Sequence, residues 1–241
     1  MMRNSVITVM VLLLLASSAS AGNVVKQSID MSARGGQISQ SAANAAVVSG
    51  NNNYVSQGIS QAARGDQITQ SGANAVVVVG NGNTAIQGVN QMAGGSSITQ
   101  SGANALAVLG NDNYANQQVA QGARGSNIFQ NGWNTGSITG DGNTLVQELL
   151  SIAQTYTNKT NQTMSNTAYI TGSYNQVNQQ ASGVVVAGTS NAPVIQTGSN
   201  FGQTLDGKSN QFDQSFKLKA KAGHKGSVMQ HGANEVRIGP A

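Results

Sequence analysis

The chain lacks cysteine altogether and has little charge, few aromatic residues and almost no proline. Of its 241 residues, 8% are charged, 4% are aromatic and two are proline. Because no disulfide can form, a folded form of this chain must be held together by other interactions. An ordinary soluble domain is about 25% charged, so copies of this chain repel one another only weakly.

The scarcity of acidic groups also limits the chemistry that the protein can perform. Its eight Asp and Glu residues are scattered singly, whereas a secreted carbohydrate-active enzyme needs them clustered on one face. His224 and His231 have no third ligand of suitable type at metal-binding spacing. We therefore predict that the protein is not an enzyme and has no catalytic residue, metal site or cofactor.

The positive balance of the sequence does not indicate a nucleic-acid partner. The formal net charge is only +4. The pI is nevertheless high, at about 9.5, because so few groups titrate. Lys and Arg are sparse, and no basic stripe with interleaved aromatic residues occurs before the C-terminal end. Such a composition is typical either of disorder or of a fold built on backbone hydrogen bonds and polar rows. Runs of residues that prefer strands, such as 76–79 (VVVV), favour the fold built on backbone hydrogen bonds.

The first residues have the layout of a secretory leader. A short basic start containing Arg3 precedes an apolar run over 6–16, and small residues follow up to Ala21. The run is shorter than the about 20 residues that a membrane span needs, although a membrane anchor is the alternative. We predict a signal peptide over 1–21, secretion to the cell surface or beyond, and no membrane span in the mature chain.

The strongest signal in the sequence is an internal repeat with a period of 30 residues. Four copies follow one another without insertion, over 36–65, 66–95, 96–125 and 126–155. Each copy contains Gln-x-Gly-x-Asn or a close variant, and then Gly-x-x-Asn-x-x-x-Gln. The positions that keep their identity are Gln40, Gln70, Gln100 and Gln130; Asn44, Asn74, Asn104 and Asn134; Gly50, Gly80, Gly110 and Gly140; Asn53, Asn83, Asn113 and Asn143; and Gln57, Gln87, Gln117 and Gln147.

The repeat also defines the organisation of the chain. Beyond residue 155 the strict period fails, but both motifs return, for example at Gln196, Gly198 and Asn200. We therefore expect regular repeats over 22–155 and a degenerate continuation of the same architecture over 156–241, ending in a basic strand. Each repeat is too small to bury a face alone, so neighbouring repeats must stack.

The motifs predict turns separated by short strands. Gly and Asn tolerate the backbone conformations that turns require, so we place a turn at each motif and strands over 67–70, 75–79 and 84–91. Helical spacing is rare, although 144–156 also fits a helix. We predict an all-β fold of 30-residue units, either a β-solenoid or stacked β-arch sheets, that assembles by pairing of strand edges.

Alternation along the strands assigns the conserved amides to the interior. Ile68 and Gln70 share one face of a strand, and Gln87, Val89 and Gln91 share one face of another. A buried amide must have its donors and acceptor satisfied. Stacked repeats place Gln over Gln about 4.7 Å apart, where the side chains bond in a ladder. We predict that the conserved Gln and Asn positions form such structural ladders.

These Gln-x-Gly-x-Asn motifs between short strands resemble curlin repeats, the units of bacterial amyloid fibres. Curlin units are shorter, and their spacings differ from those of Gln70, Gly72 and Asn74 here. The whole chain also resembles the secreted, repetitive sheath proteins of filamentous methanogenic archaea. The resemblance implies amyloid-like fibres, hoops or tubes that encase cells.

Two functions follow as expectations. The first is a secreted structural protein that assembles with itself into an extracellular fibre, tube or sheath. The alternative is a soluble extracellular β-solenoid that binds a ligand, as an adhesin, an ice-binding protein or a carbohydrate-binding protein would. The expected partner is another copy of the chain, with cell-surface polysaccharide as a further candidate.

A few residues carry more local expectations. Asn158 and Asn161 begin glycosylation sequons in a segment that we expect to be an exposed loop. Lys217, Lys219 and Lys221 would share one strand face, either to bind an anionic surface or to protect an edge from pairing. Trp133, expected in a turn, would contact carbohydrate or a neighbouring subunit, or would pack over the last regular repeat. Three arginines recur at one repeat position, which Gly94 interrupts: Arg34, Arg64 and Arg124.

Overall fold

A computed structural model describes residues 6–17, 22–110, 112–140, 142–155, 159–172, 174–187, 193–205, 210–221 and 227–239. It confirms the all-β prediction. Parallel coils of about 30 residues stack into a β-solenoid of about seven coils. In the part of the chain described, no helix is long and apolar enough to cross a membrane.

Within the described ranges, fourteen strands form the stack, and every pairing between them is parallel. In chain order they are β1 (Val6–Ser17), β2 (Val24–Lys26), β3 (Asp30–Ser49), β4 (Tyr54–Ser56), β5 (Ser60–Val79), β6 (Thr84–Ile86), β7 (Val89–Leu109), β8 (Tyr114–Thr139), β9 (Thr144–Thr155), β10 (Thr160–Thr171), β11 (Gln176–Ala187), β12 (Val194–Leu205), β13 (Gln211–Lys221) and β14 (Val228–Ile238).

Each coil contributes one segment to each of two facing sheets. We call the sheet that contains residues 37–49 and their equivalents the front sheet, and the sheet that contains 23–34 and their equivalents the back sheet. A corner at Gly35 leads from the back sheet to the front sheet within β3, and a turn that begins at Gly50 leads back again. Equivalent residues of successive coils lie side by side, as Gln40, Gln70 and Gln100 do.

The conserved turn glycines are required by their backbone conformation. Gly50, Gly80, Gly110 and Gly140 have φ values of 131°, 141°, 145° and 139°, a region that residues with a Cβ rarely adopt. A Cβ on Gly80 would also collide with the carbonyl oxygen of Gly50 in the coil before it. Stacking therefore repeats the glycine in every regular coil.

The predicted strands are too short, because the first motif lies inside a strand. Gln70, Gly72 and Asn74 all belong to β5 and point into the core. Gly72 is needed for space and not for a turn, since its Cβ would lie 2.9 Å from Cγ1 of Val89 in the opposite sheet. Trp133, at the following position of its motif, is likewise in mid-strand, on the outer face of the front sheet and 43% exposed.

The helical alternative for 144–156 is wrong over the residues described. Thr144–Thr155 forms strand β9 in the back sheet. Its buried residues alternate with outward ones, as Leu145, Gln147 and Leu149 show, and a period of two suits a strand. Residue 156 lies outside the described residues.

The core alternates between amide layers and apolar layers, and in the apolar layers the two sheets compensate one another in size. Gly136 in the front sheet faces Leu145, whose Cδ2 would lie 2.8 Å from an added Cβ. Gly202 faces Phe212 in the same way, at 2.6 Å from Cε1. Where the front sheet instead has Met164, the nearby back-sheet residue is Gly183. Small residues thus leave room for the large residue across the core.

Residues 6–17 of the predicted leader lie beside the first coil. Strand β1 pairs with β3, with Val9 beside Gln40 and Leu13 beside Asn44. An apolar strand therefore covers part of an edge where amide side chains begin their rows. At the other end, in the part of the chain described, β14 pairs with β12 alone and β13 with β11 alone.

Candidate functional site

A row of seven glutamines runs the length of the front sheet. We call it the Gln40 row; from the second member on, each Nε2 donates to Oε1 of the glutamine before it, over 2.6–2.9 Å. Five of the amides also donate across the core to a back-sheet carbonyl, as Gln100 does to Gly122 over 3.1 Å. The row comprises Gln40, Gln70, Gln100, Gln130, Gln162, Gln196 and Gln230.

A row of asparagines lies beside it with its hydrogen bonds running in the opposite direction. In this Asn44 row each Nδ2 donates to Oδ1 of the next asparagine toward the C-terminus, over 2.9–3.0 Å. The second N–H donates to the back sheet, for example from Asn104 to the Gln118 carbonyl over 2.8 Å. The row comprises Asn44, Asn74, Asn104, Asn134, Asn166, Asn200 and Asn234.

The back sheet carries a third long row, the Gln57 row, which changes direction part of the way along. Gln27 and Gln57 donate to the next member, over 3.1 and 3.0 Å. Gln147, Gln179 and Gln214 donate to the previous one, over 3.0, 2.7 and 2.6 Å. Each end of the row therefore presents a carbonyl oxygen. Its members are Gln27, Gln57, Gln87, Gln117, Gln147, Gln179 and Gln214.

A shorter row was missing from the predicted ladder set. Gln91 donates to Gln61 over 2.7 Å, and Gln121 donates to Gln91 over 2.9 Å. The signal was present in the sequence, because Gln91 shares a strand face with Gln87. The row is confined to three coils, since the equivalent residues at its two ends are Met31 and Ser151.

The asparagines at the turns do not form a ladder. Nδ2 of Asn83, Asn113 and Asn143 donates to the carbonyl oxygen of the turn glycine three residues earlier, over 2.8, 2.8 and 2.6 Å. Their identity recurs because each coil repeats the same turn, not because one asparagine bonds the next. Asn53 occupies the equivalent buried position in its own coil.

The rows explain why the interior tolerates so many polar groups. A buried amide without partners costs about 1–3 kcal/mol, whereas a satisfied one contributes about 1 kcal/mol net. Among the described residues, the buried polar side chains are Asn, Gln, Ser and Thr, and none is ionisable. In the described part of the interior, the buried polar side chains therefore offer hydrogen bonding along the stack and carry no charge.

The rows stop at the two ends of the stack with unused donors and acceptors. At the first coil, Oδ1 of Asn44 and Oε1 of Gln27 are buried and accept no hydrogen bond from any described residue. At the last coil, Asn234 donates one N–H to the Gln214 carbonyl over 3.4 Å. The same amide has a second N–H. These ends are the candidate functional site.

One of the two predicted glycosylation positions lies differently from expectation. Asn161 is in strand β10 and not in a loop, and it points outward from the front sheet with partial exposure. The alternation of β10 requires this, because Gln162 takes the inward position in the Gln40 row. Asn158 lies outside the described residues.

Comparisons with family models, with curated proteins and with solved structures found no match. The class of protein is therefore defined by its fold and interior alone. It is a β-solenoid of parallel coils with rows of buried asparagine and glutamine that run from the first coil to the last.

Proposed function

We propose that the mature chain is a secreted structural protein whose copies stack end to end into an extracellular fibre, tube or sheath. The observation that carries this proposal is the match between the two ends of the amide rows. One end of each front-sheet row lacks what the other end offers, and both ends lie on strand edges of the same shape.

The Asn44 row provides the first half of the match. Its bonds run toward the C-terminus, so the last member, Asn234, retains an N–H for a following coil. The first member, Asn44, has a buried Oδ1 that accepts from no described donor. A second copy that places its first coil on β13 and β14 would bring Asn44 beside Asn234 in the register that every coil already uses.

The Gln40 row provides the second half, with the opposite direction. Gln40 donates one N–H to the Ala62 carbonyl over 3.3 Å, and its second N–H faces the coil that would precede it. Gln230 uses Nε2 toward Gln196 over 2.6 Å, which leaves Oε1 for a following copy. The Gln57 row presents an oxygen at both ends, so it would add a hydrogen bond at the junction only if all the amides on one side of its change of direction, Gln27, Gln57 and Gln87, turned over.

The predicted leader would block stacking until it is removed. Strand β1 pairs with the edge of β3 that the junction needs. The sequence predicts that residues 1–21 are removed, which would free this edge. The weak charge of the chain, 8% charged residues, gives little repulsion to oppose contact between copies.

Electron microscopy and fibre diffraction of residues 22–241 test the proposal directly. We expect ordered polymers with a repeat near 4.7 Å along the stack. A monodisperse monomer at high concentration would overturn the structural role and favour a binding solenoid.

A single substitution at the open edge separates stacking from other forms of association. The N–H of Gly239 donates to the Thr204 carbonyl over 2.9 Å, so by alternation the N–H of Val236 faces the open edge. Val236→Pro removes that N–H and blocks the edge with its ring, while Val236→Ala keeps the N–H.

We expect Val236→Pro to keep the circular dichroism of the parent and to slow polymer growth at least about tenfold, because each junction loses a ladder bond and meets the ring. Growth should be followed by light scattering at equal concentrations. Val236→Ala should polymerise at close to the parent rate. Equal growth of the proline and alanine variants would show that this edge is not the junction.

A further inference from the structure

A column of basic residues follows one edge of the back sheet, next to the corner that leads to the front sheet. Arg34 lies beside Arg64, Arg64 beside Gly94, and Gly94 beside Arg124. Four of its seven positions are cationic and exposed, and none is acidic. The full basic column is Arg34, Arg64, Gly94, Arg124, Gln154, Val186 and Lys221.

The surroundings of the column add to its charge. Lys217 and Lys219 project from β13 on the same outer face as Lys221. One residue of the lysine face that the sequence predicts, Lys221, is therefore the last member of the arginine column, which the sequence alone could not show. Among the described residues at this edge, the acidic ones are Asp30 and Asp66, against six cations, and both are exposed.

The arginines border a groove on the outer face of the back sheet. The groove has a volume of about 480 Å³, and its walls include Arg34, Arg64 and Arg124. Met92 and Ile152, which are 63% and 45% exposed, give it apolar surface. None of its lining residues is aromatic.

Gly94 leaves a gap between two of the arginines. An added Cβ there would meet nothing closer than the Arg124 carbonyl oxygen at 4.0 Å. Arg64 and Arg124 are two coils apart, about 9.6 Å at the usual strand spacing. A carboxylate in this gap would be within reach of a guanidinium on either side.

We propose that this groove binds a linear acidic polysaccharide built of uronic-acid units. Guanidinium groups bind carboxylates through two parallel hydrogen bonds, and the column repeats along the stack at intervals close to the length of one sugar unit. The apolar C–H faces of the sugar rings would pack on Met92 and Ile152. Single-stranded nucleic acid fits less well, because it relies on aromatic side chains for stacking.

The proposal concerns a groove within one chain and does not depend on assembly. Were copies to stack in register, Lys221 of one copy would be followed by Arg34 of the next, and the column would continue along the polymer. The assembly-defective Val236→Pro chain should therefore bind the polysaccharide as the parent does, so that failure of binding and failure of assembly are observed separately.

The test is a calorimetric titration of the chain with oligogalacturonate at low salt, which measures the dissociation constant. We expect Arg64→Gln combined with Arg124→Gln to weaken binding about tenfold or more, and Arg64→Lys alone to weaken it about threefold, because lysine binds a carboxylate as a point charge. Both arginines are exposed, so the variants should keep the parent circular dichroism.

The matched control is Arg237→Gln. Arg237 is also exposed, but it lies on the front sheet and pairs with Glu235 over 2.6 Å. We expect less than a twofold change. An equal loss of binding in this control would show that the effect comes from overall charge, and it would overturn the proposal. Tighter binding of neutral dextran, or of a single-stranded DNA oligomer of equal charge, would also overturn it.

Discussion

Replacing Gln100 by Glu should destabilise the folded chain by about 3–5 kcal/mol at pH 7. Gln100 is fully buried, donates to Gln70 and accepts from Gln130, both over 2.9 Å. A carboxylate cannot donate to Gln70, and among the described residues no cation is buried beside it to offset its charge. The free energy of unfolding in denaturant, at concentrations where the chain is monomeric, measures the loss.

The pH dependence of this loss identifies its cause. Burial raises the pKa of the introduced carboxyl above its unfolded value of about 4.3. Below that value the carboxyl is protonated in both states, so the penalty is smallest. The penalty then grows as the pH rises from the unfolded pKa to the raised folded-state pKa, and it is complete above the latter.

Gln37→Glu is the matched control for the same chemical change. Gln37 donates to Gln67 over 3.2 Å in an exposed pair, where water can solvate a charge. We expect a change of less than about 1 kcal/mol and little dependence on pH. If both variants lost the same stability, or if the loss in Gln100→Glu did not vary between pH 3 and 7, the buried row would not be the source of stability.

Gly80→Ala should cost at least about 3 kcal/mol and weaken the contact between two coils. The residue has a φ of 141°, where a side chain is strained by about 1–3 kcal/mol. The new methyl group would also meet the Gly50 carbonyl oxygen, which is backbone and cannot rotate away. Thermal unfolding followed by circular dichroism measures the cost.

Gly88→Ala tests whether the effect is specific to the turn. Gly88 lies in the back sheet, and an added Cβ would have no atom within 4 Å. Because alanine restricts the unfolded chain, we expect this variant to be unchanged or up to about 1 kcal/mol more stable. A similar loss at both glycines would mean that glycine content matters in general, and not the stacking of turns.

Much of the fold was accessible from the sequence because stacking turns a spatial relation into a repeat. Gln70 and Gln100 are 30 residues apart in sequence and are neighbours in the sheet. Only an arrangement of one repeat per coil gives the same residue the same neighbours each time. Alternation of Ile68 and Gln70 then assigned both to the interior, where they are found.

The sequence predicts rows of hydrogen-bonded amides, but it does not show which of the repeated amides bond one another. Identity at fixed positions predicts a ladder equally well for Gln100 and for Asn113, yet Gln100 bonds its equivalents and Asn113 bonds its own turn. The difference arises from where each side chain lies in the coil and which partners it can reach. A side chain in mid-strand has its equivalents as nearest partners, whereas a side chain at the turn finds an unpaired carbonyl within its own coil.

Period and alternation are local properties of the chain, so they predict the coil length and place side chains such as Ile68 and Gln70 in the interior. The parallel direction of the strand pairs, and everything that depends on two sheets meeting, came only from the three-dimensional structure. It showed that Gly72 makes room for Val89, so that its motif is strand and not turn. It also decided the opposite directions of the Gln40 and Asn44 rows, since a hydrogen bond has a direction only once both partners are in place.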